Sequence, residues 1–369
     1  MNLLPIFIYV FFIMLGIVKR NSRFLTCVLL FYIWCLIGLN TYTPDYASYE
    51  AVFNGTYYGL NMNVGFEFCC TLFRTMGFTY QQFRMIWALI YIALLVNFVL
   101  RNTKSPNFVF SMMLICPILL DVSSIRSGVA YLLALNFSML LKKPTFKNKC
   151  LFVAGTLIAS TIHITAFFYL IFLLINRKLK NIHSLAIFGG VGIITIIIYS
   201  PLFSRIALAL YNVTGIYAIQ KWLLGGIANT NPNLVGIMSV AVFLLGFIFI
   251  LYKEEKIQNS REYINDEKIM LNTWFLKSIG LNMLFLLPII MISTESRRLF
   301  YGALMVFYCA TGNFFLDSDT THVYSITSFK YMLVEIILAI GLLWMYMYSY
   351  QSHDVMAVLR DNMIWDIIF

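Results

Sequence analysis

Residues 83–100 read FRMIWALIYIALLVNFVL, and this stretch decides the fold because Arg84 is its one charged residue. A helix needs about 20 consecutive apolar residues to cross the hydrocarbon of a bilayer. Residues 184–198, 235–251 and 331–348 form further apolar runs that approach or reach this length. The runs show no strand-like alternation, so they predict membrane-spanning helices, whose backbones satisfy their own hydrogen bonds.

The composition of the whole chain agrees with this interpretation. Hydrophobic residues make up 61% of the 369 residues and charged residues 11%, whereas soluble domains average about 45–50% and about 25%. We therefore predict an all-α fold, a polytopic transmembrane helical bundle that forms one integral membrane domain over residues 1–369. About 10–12 spans are expected, some of them short or re-entrant at the outer face. The seven cysteines have no metal-binding spacing and are expected to be small packing residues.

Basic residues mark the ends of the apolar runs. The net charge is +10, but the cations form short clusters rather than the basic stripe of a nucleic-acid-binding protein. The positive-inside rule assigns five clusters to the cytoplasm, at residues 19–23, 101–104, 142–149, 177–180 and 253–268. The loop at residues 40–63 contains Asp45 and Glu50 but no Lys or Arg. It is predicted to lie outside, together with residues 201–232 and 294–298.

The chain between Lys149 and Arg177 has two interpretations. About 26 apolar residues separate these cations, too many for one straight helix and too few for two full ones. Two short helices that meet near His163 fit this length, and so does one long tilted helix. The hairpin is favoured because a single crossing would leave Arg177, Lys178 and Lys180 outside.

Ionisable side chains gather in the segments predicted to lie outside, although each costs about 2.5–3.5 kcal/mol at membrane depth. The set is Asp45, Glu50, Glu67, Arg74, Arg84, Asp121, Arg126, His163, Arg205, Lys221, Glu295, Arg297 and Arg298. Arg126 stands at the start of a predicted helix, in the segment SSIRSGVA at residues 123–130. Because helix N-termini favour anions and a guanidinium binds phosphate through two parallel hydrogen bonds, Arg126 is a candidate phosphate ligand. The alternatives are an ion pair with Asp121 or snorkelling to the membrane interface.

His163 is the one histidine inside a long apolar run, in the segment STIHITA at residues 160–166. An imidazole titrates near neutral pH and can serve as a general base, but a buried histidine is also a common packing residue. Glu295, Arg297 and Arg298 interrupt two apolar runs and either bind substrate or form a charged turn. The tyrosines of the 40–63 loop could stack on sugars or form an interfacial aromatic belt; they are Tyr42, Tyr46, Tyr49, Tyr57 and Tyr58.

Five short motifs occur in a fixed order along the chain. They are DYASY at residues 45–49, GFE at 65–67, IRSGVA at 125–130, IHITA at 162–166 and RRLFY at 297–301. In this order and rough spacing they resemble the EpsG family, which is similar to the Wzy-type polysaccharide polymerases. That family often has Gln after the arginine, where this chain has Ser127.

The resemblance implies a membrane glycosyltransferase that joins oligosaccharide repeat units carried on undecaprenyl diphosphate. Its product would be O-antigen, capsule or exopolysaccharide, made at the periplasmic or extracellular face of the bacterial cytoplasmic membrane. The implied diphosphate ligands are Arg126, Arg297 and Arg298, and the implied proton acceptor is His163 or Asp45. The implied substrate-binding residues are Tyr46, Tyr49, Glu67 and Glu295.

The implied partners are the lipid-linked oligosaccharides, the bilayer and a chain-length regulator, with no nucleic acid. The sequence has no HExxH, GxSxG or Walker motif, so no metal site and no cofactor are predicted. Three alternatives remain: an O-antigen ligase-like glycosyltransferase, a polysaccharide-precursor transporter or flippase, and a membrane acyltransferase. A transporter predicts two related halves and cations along a full path, whereas the charges here gather on one side.

Overall fold

The structure is a computed structural model that describes residues 4–43, 45–56, 63–174, 267–283, 299–314, 332–341 and 362–368, with isolated positions between them. Within these ranges the chain forms helices joined by short turns, and the β-type contact found there pairs Asn40 with Asn362. The described part of the chain therefore has the predicted all-α fold.

The helices follow one another closely in the first half of the chain. They are α1 (Leu4–Val18), α2 (Arg23–Gly38), α3 (Tyr46–Asn54), α4 (Val64–Thr75), α5 (Tyr80–Asn102), α6 (Pro106–Met113), α7 (Leu119–Ser123), α8 (Ile125–Ser138) and α9 (Phe146–Ile162). A 3₁₀ helix follows at Ile164–Leu174. The later helices are α10 (Glu267–Met283), α11 (Leu299–Phe314), α12 (Met332–Gly341) and α13 (Met363–Ile368).

Among the described residues, two segments are long and apolar enough to cross a membrane: Tyr80–Asn102, which is α5, and Pro106–Ser123, which includes α6 and α7. The helices α1, α2 and α12 and the 3₁₀ helix are apolar but shorter. The 23 residues of α5 measure about 35 Å, against a hydrocarbon thickness of roughly 30 Å. The chain is a membrane protein with a helical bundle, and its span count stays a prediction.

Pro117 interrupts the second of these segments. Residues Leu114–Ile118 form a π-helical turn, inside which Cys116 is extended (φ −162°, ψ 128°). A proline has no N–H to donate and so breaks the helical hydrogen-bond ladder. The hydroxyl of Tyr9 donates to the carbonyl of Leu114, which satisfies that acceptor and ties α1 to the break.

The helix α9 and the 3₁₀ helix form a hairpin at His163. The backbone of His163 is extended (φ −148°, ψ 121°). The rings of Phe152 and Phe172, which stand on opposite sides of His163 in the chain, have centroids 6.4 Å apart. Since these rings meet, the 3₁₀ helix runs back along α9. The hairpin interpretation is confirmed over residues 146–174.

Three of the basic clusters lie at one end of the bundle. The side chain of Asn107 donates to the carbonyl of Lys19 at 2.7 Å, so the turn after α1 lies beside the start of α6. Asn272 of α10 accepts from Nζ of Lys142 at 2.6 Å and donates to the carbonyl of Arg101 at 3.0 Å. These contacts gather residues 19–23, 101–104 and 142–149 on one side, as the positive-inside pattern predicts.

The segment predicted as an outer loop contains the helix α3. Tyr49, Val52 and Phe53 are buried on one face of it, at the spacing of adjacent turns. Gly55 ends the helix in the left-handed conformation (φ 73°) that glycine adopts without steric cost. Tertiary contacts therefore stabilise a helix that would be too short to form alone.

Candidate functional site

Arg126 lies in the first turn of α8, directly after the break between helices α7 and α8. Ser124 leaves the helical conformation (φ −115°, ψ 45°) between α7 and α8. The hydroxyl of Ser127 donates to the carbonyl of Ser124 at 2.8 Å. Arg126 is 7% exposed, and its position beside a helix N-terminus is one where N–H groups and the helix dipole favour anions.

Two aromatic rings flank the guanidinium of Arg126. Its Cζ lies 5.0 Å from the ring centroid of Tyr49 on α3 and 5.5 Å from that of Phe66 on α4. The two rings pack edge to face, with centroids 5.8 Å apart. Cation–π contacts of this kind are worth about 0.5–2 kcal/mol, so the rings fix the guanidinium while leaving its N–H edge for hydrogen bonds.

Asn63 connects Arg126 to the hairpin at His163. With the amide oriented so that both of its ends are satisfied, the oxygen accepts from Nη1 of Arg126 at 3.1 Å. The amide nitrogen then donates to the carbonyl of Ile162, also at 3.1 Å. Ile162 is the last residue of α9, so a single side chain joins the start of α8 to the residue before His163.

The close approach of α4 to α9 depends on Gly65. A Cβ at this position would lie 2.2 Å from Oγ1 of Thr161 and 3.1 Å from the carbonyl carbon of the same residue. Glycine allows the two backbones to meet at this distance. The GFE motif therefore places Asn63 and Phe66 within reach of Arg126.

His163 is 3% exposed, and its ring is held by its neighbour in the hairpin. Nδ1 of the imidazole lies 2.7 Å from the hydroxyl oxygen of Thr165. The carbonyl of His163 accepts from the N–H of Ala166 at 3.0 Å. These bonds orient the ring and are compatible with both roles predicted for it, packing and proton transfer.

The described contacts of Arg126 include no carboxylate. Its hydrogen-bond acceptor is an amide and its ring contacts are uncharged, while its Nε makes no hydrogen bond among the described residues. A buried charge is costly unless it is paired. The arrangement suits an anion with several acceptor oxygens, such as a phosphate.

Asp121, the alternative ion-pair partner of Arg126, lies in a cluster of tyrosines. Oδ2 of this fully buried carboxylate accepts from the hydroxyl of Tyr91 at 2.6 Å and from that of Tyr131. A Cβ on Gly128 would approach the Tyr91 ring to 2.8 Å, so glycine is needed for α5 and α8 to lie this close. The cluster joins α5, α7 and α8 beside the Arg126 turn.

A second buried guanidinium belongs to Arg84, one of the ionisable residues in the segments predicted to lie outside. It is 1% exposed, and its Nε and Nη2 donate to the carbonyls of Ile37 at 2.9 Å and Val122 at 2.8 Å. Its Cζ lies 5.6 Å from the ring centroid of Tyr46. Burial and the nearby Glu50 raise the pKa of the Tyr46 hydroxyl, and Arg84 opposes this rise. Arg84 thus holds the end of α7 from which the Arg126 turn starts.

The remaining predicted site residues divide into two groups. Asp45 directly precedes α3 and Glu67 follows Phe66 on α4, and both are half-buried. Glu295, Arg297 and Arg298 lie outside the described residues. In the part of the chain that the structure covers, no three His, Cys, Asp or Glu side chains form a group that could hold a metal ion.

Sequence reasoning missed Asn63 and Phe66 as partners of Arg126. The available signal was their position in and next to the GFE motif, but nothing in the local pattern indicates which distant residue they contact. Asn63 is 63 positions from Arg126 along the chain. Such a contact becomes visible when the helices have been packed.

Comparison with known protein families covers the segments that form this site. The model of the EpsG family matches residues 23–352, which contain the site described above. A search of the curated proteins and a search of the solved structures gave no significant match. The chain belongs to the EpsG family.

Proposed function

We propose that this protein is a polysaccharide polymerase, a membrane glycosyltransferase that joins oligosaccharide repeat units carried on undecaprenyl diphosphate. The product is O-antigen, capsule or exopolysaccharide. The reaction takes place at the periplasmic or extracellular face of the bacterial cytoplasmic membrane, and a chain-length regulator is a further expected partner. Membership of the EpsG family and the charge distribution along the chain support this proposal.

The observation that carries the proposal is the buried guanidinium of Arg126. It lies at a helix N-terminus, between two rings, with an uncharged hydrogen-bond partner, and its buried Nε makes no hydrogen bond among the described residues. A phosphate group would supply the missing negative charge. In a site of low dielectric constant this contact would stabilise a leaving diphosphate strongly.

The reaction forms one glycosidic bond and breaks one glycosyl–phosphate bond. A hydroxyl oxygen of the acceptor sugar attacks the anomeric carbon of the donor, and the undecaprenyl diphosphate leaves with the bonding electron pair. The hydroxyl proton passes to the imidazole of His163, at Nε2 in the tautomer that keeps the other proton on Nδ1 beside Thr165. Asp45 is the alternative acceptor.

The other proposed roles follow from charge and ring chemistry. Arg297 and Arg298 are proposed to bind the diphosphate together with Arg126. Tyr46, Tyr49, Glu67 and Glu295 are proposed to bind sugar hydroxyls and ring faces. The bond between sugar and diphosphate supplies the driving force, so this scheme requires neither a nucleotide sugar nor a metal ion.

The test is deletion of the gene in its host, with complementation by the wild-type chain and analysis of the lipid-linked and polymeric glycans. A polymerase predicts that the deletion strain accumulates single repeat units on the outer side of the membrane. Long chains that are not transferred to their final acceptor would indicate a ligase. Single units retained on the cytoplasmic side would indicate a flippase, and both results would overturn the proposal.

A further inference from the structure

One face of α4 exposes a row of apolar side chains. The row consists of Val64 (66% exposed), Phe68 (66%), Leu72 (42%) and Met76 (64%). Met76 is the residue that caps the C-terminus of α4. Residues four apart lie on the same side of a helix, so these four, the α4 stripe, form one continuous surface. Soluble surfaces avoid large apolar patches of this kind.

Two polar side chains of α4 are hydrogen-bonded within the protein. Nη1 of Arg74 donates to the carbonyl of Phe53 on α3 at 3.0 Å. The hydroxyl of Thr75 donates to the carbonyl of Leu72 at 2.8 Å. No Asp, Glu, Lys or Arg is among the four residues of the stripe. The four side chains of the stripe are therefore all apolar.

The stripe continues the apolar exterior of a neighbouring helix. Gly65, next to Val64, meets Thr161 near the end of α9. One turn earlier on α9, Leu157 and Ile158 are 43% and 56% exposed. Exposed apolar side chains on a helix of a membrane bundle face hydrocarbon. The α4 stripe begins beside this surface, at the same level of the bundle.

We propose that α4 is an interfacial membrane helix, whose stripe contacts the acyl chains of the leaflet on the Arg126 side of the bundle. Its 12 residues are too few to cross hydrocarbon, but an amphipathic helix can lie in the interface with its apolar face buried. Phe66, on the opposite face of α4, contacts Arg126. One helix, α4, then separates the guanidinium of Arg126 from the lipid. The proposed membrane contact does not rest on the proposed function.

Photocrosslinking tests the contact directly. The photoreactive residue p-benzoylphenylalanine replaces Phe68 in one variant and Leu72 in another, and each protein is reconstituted in vesicles of phosphatidylethanolamine and phosphatidylglycerol. Matched controls carry the same residue at Ala47 or Ser48, which are exposed on α3. After irradiation, mass spectrometry identifies the adducts.

The expected result is a mass increase of one phospholipid at positions 68 and 72 and none at 47 and 48. Crosslinks from the stripe to a second copy of the chain would overturn the proposal in favour of a protein interface. Equal lipid labelling at all four positions, or no lipid adduct at 68 and 72, would also overturn it. Because the readout needs no catalysis, failure here is distinguishable from failure of the proposed function.

Discussion

The guanidinium of Arg126 stacks on the ring of Tyr49, with 5.0 Å between Cζ and the ring centroid. Tyr46, three residues earlier on the same helix, covers Arg84 at 5.6 Å. One turn of α3 therefore contacts both buried guanidiniums. The position of α3 therefore helps to fix both cations in the buried part of the bundle.

Replacing Arg126 with lysine should remove most polymer formation while leaving the protein in the membrane. Lysine keeps the charge but lacks the planar fork that binds two oxygens, and loss of one such donor typically costs about 10²–10³-fold in rate. Glycan gels and immunoblots of the complemented deletion strain measure polymer and protein. Arg101→Lys, at the opposite end of the bundle, is the matched control. Normal polymer from Arg126→Ala would disprove phosphate binding by this residue.

Substitutions of Tyr49 should separate the ring from its hydroxyl. Tyr49→Phe keeps the aromatic ring that faces Arg126 and is expected to retain most activity. Tyr49→Leu removes the ring and with it the cation–π contact. A contact worth about 0.5–2 kcal/mol corresponds to a loss of about 2–30-fold. Turnover by purified protein in vesicles measures the difference. Equal activity of the two variants would show that the ring does not position Arg126.

Asn63→Asp should inactivate the protein more strongly than Asn63→Ala. The aspartate keeps an acceptor for Arg126 but adds a negative charge beside the guanidinium, which would compete with an anionic substrate. It also loses the donor to the Ile162 carbonyl. Substrate binding and protein abundance are measured together. An Asn63→Asp protein that binds lipid diphosphate normally would contradict the proposed anion site.

His163→Gln and Thr165→Val should differ in the size of their effects. Glutamine removes the titratable base, and general-base assistance is worth about 10²–10⁴-fold in rate. The Thr165→Val variant keeps the imidazole of His163 and removes the 2.7 Å contact between its Nδ1 and the hydroxyl of Thr165. A smaller loss of rate is therefore expected. Single-turnover assays with purified protein give both rates. Low abundance of His163→Gln with proportionate activity would assign the residue to packing.

Gly65→Ala should destabilise the fold, because the added Cβ would lie 2.2 Å from Oγ1 of Thr161. Overpacking of this kind typically costs about 1–3 kcal/mol. Thermal unfolding in detergent measures the change in midpoint. Gly341→Ala is the control, since a Cβ there meets no atom within 4 Å. Equal midpoints for the two variants would contradict the close approach of α4 to α9.

The sequence predicts those features that depend on local composition. A long apolar run predicts α5. The positive-inside rule places Arg177 in the cytoplasm, and this predicts the hairpin at His163 because a single crossing would leave Arg177 outside. The helix α3 was not predicted because its stability comes from burying Tyr49, Val52 and Phe53 against distant elements. Asn63 was missed for the same reason, since its two partners lie on α8 and α9.

The hairpin at His163 sets the length of α9. Thr145 caps the start of α9 and His163 ends it, so its length is fixed at 17 residues, or about 25 Å against roughly 30 Å of hydrocarbon. A helix shorter than the hydrocarbon is accommodated by thinning of the bilayer, by snorkelling of flanking side chains or by oligomerisation. Where the bilayer thins beside a short helix, headgroups and water come closer to the end of that helix, which in α9 is His163.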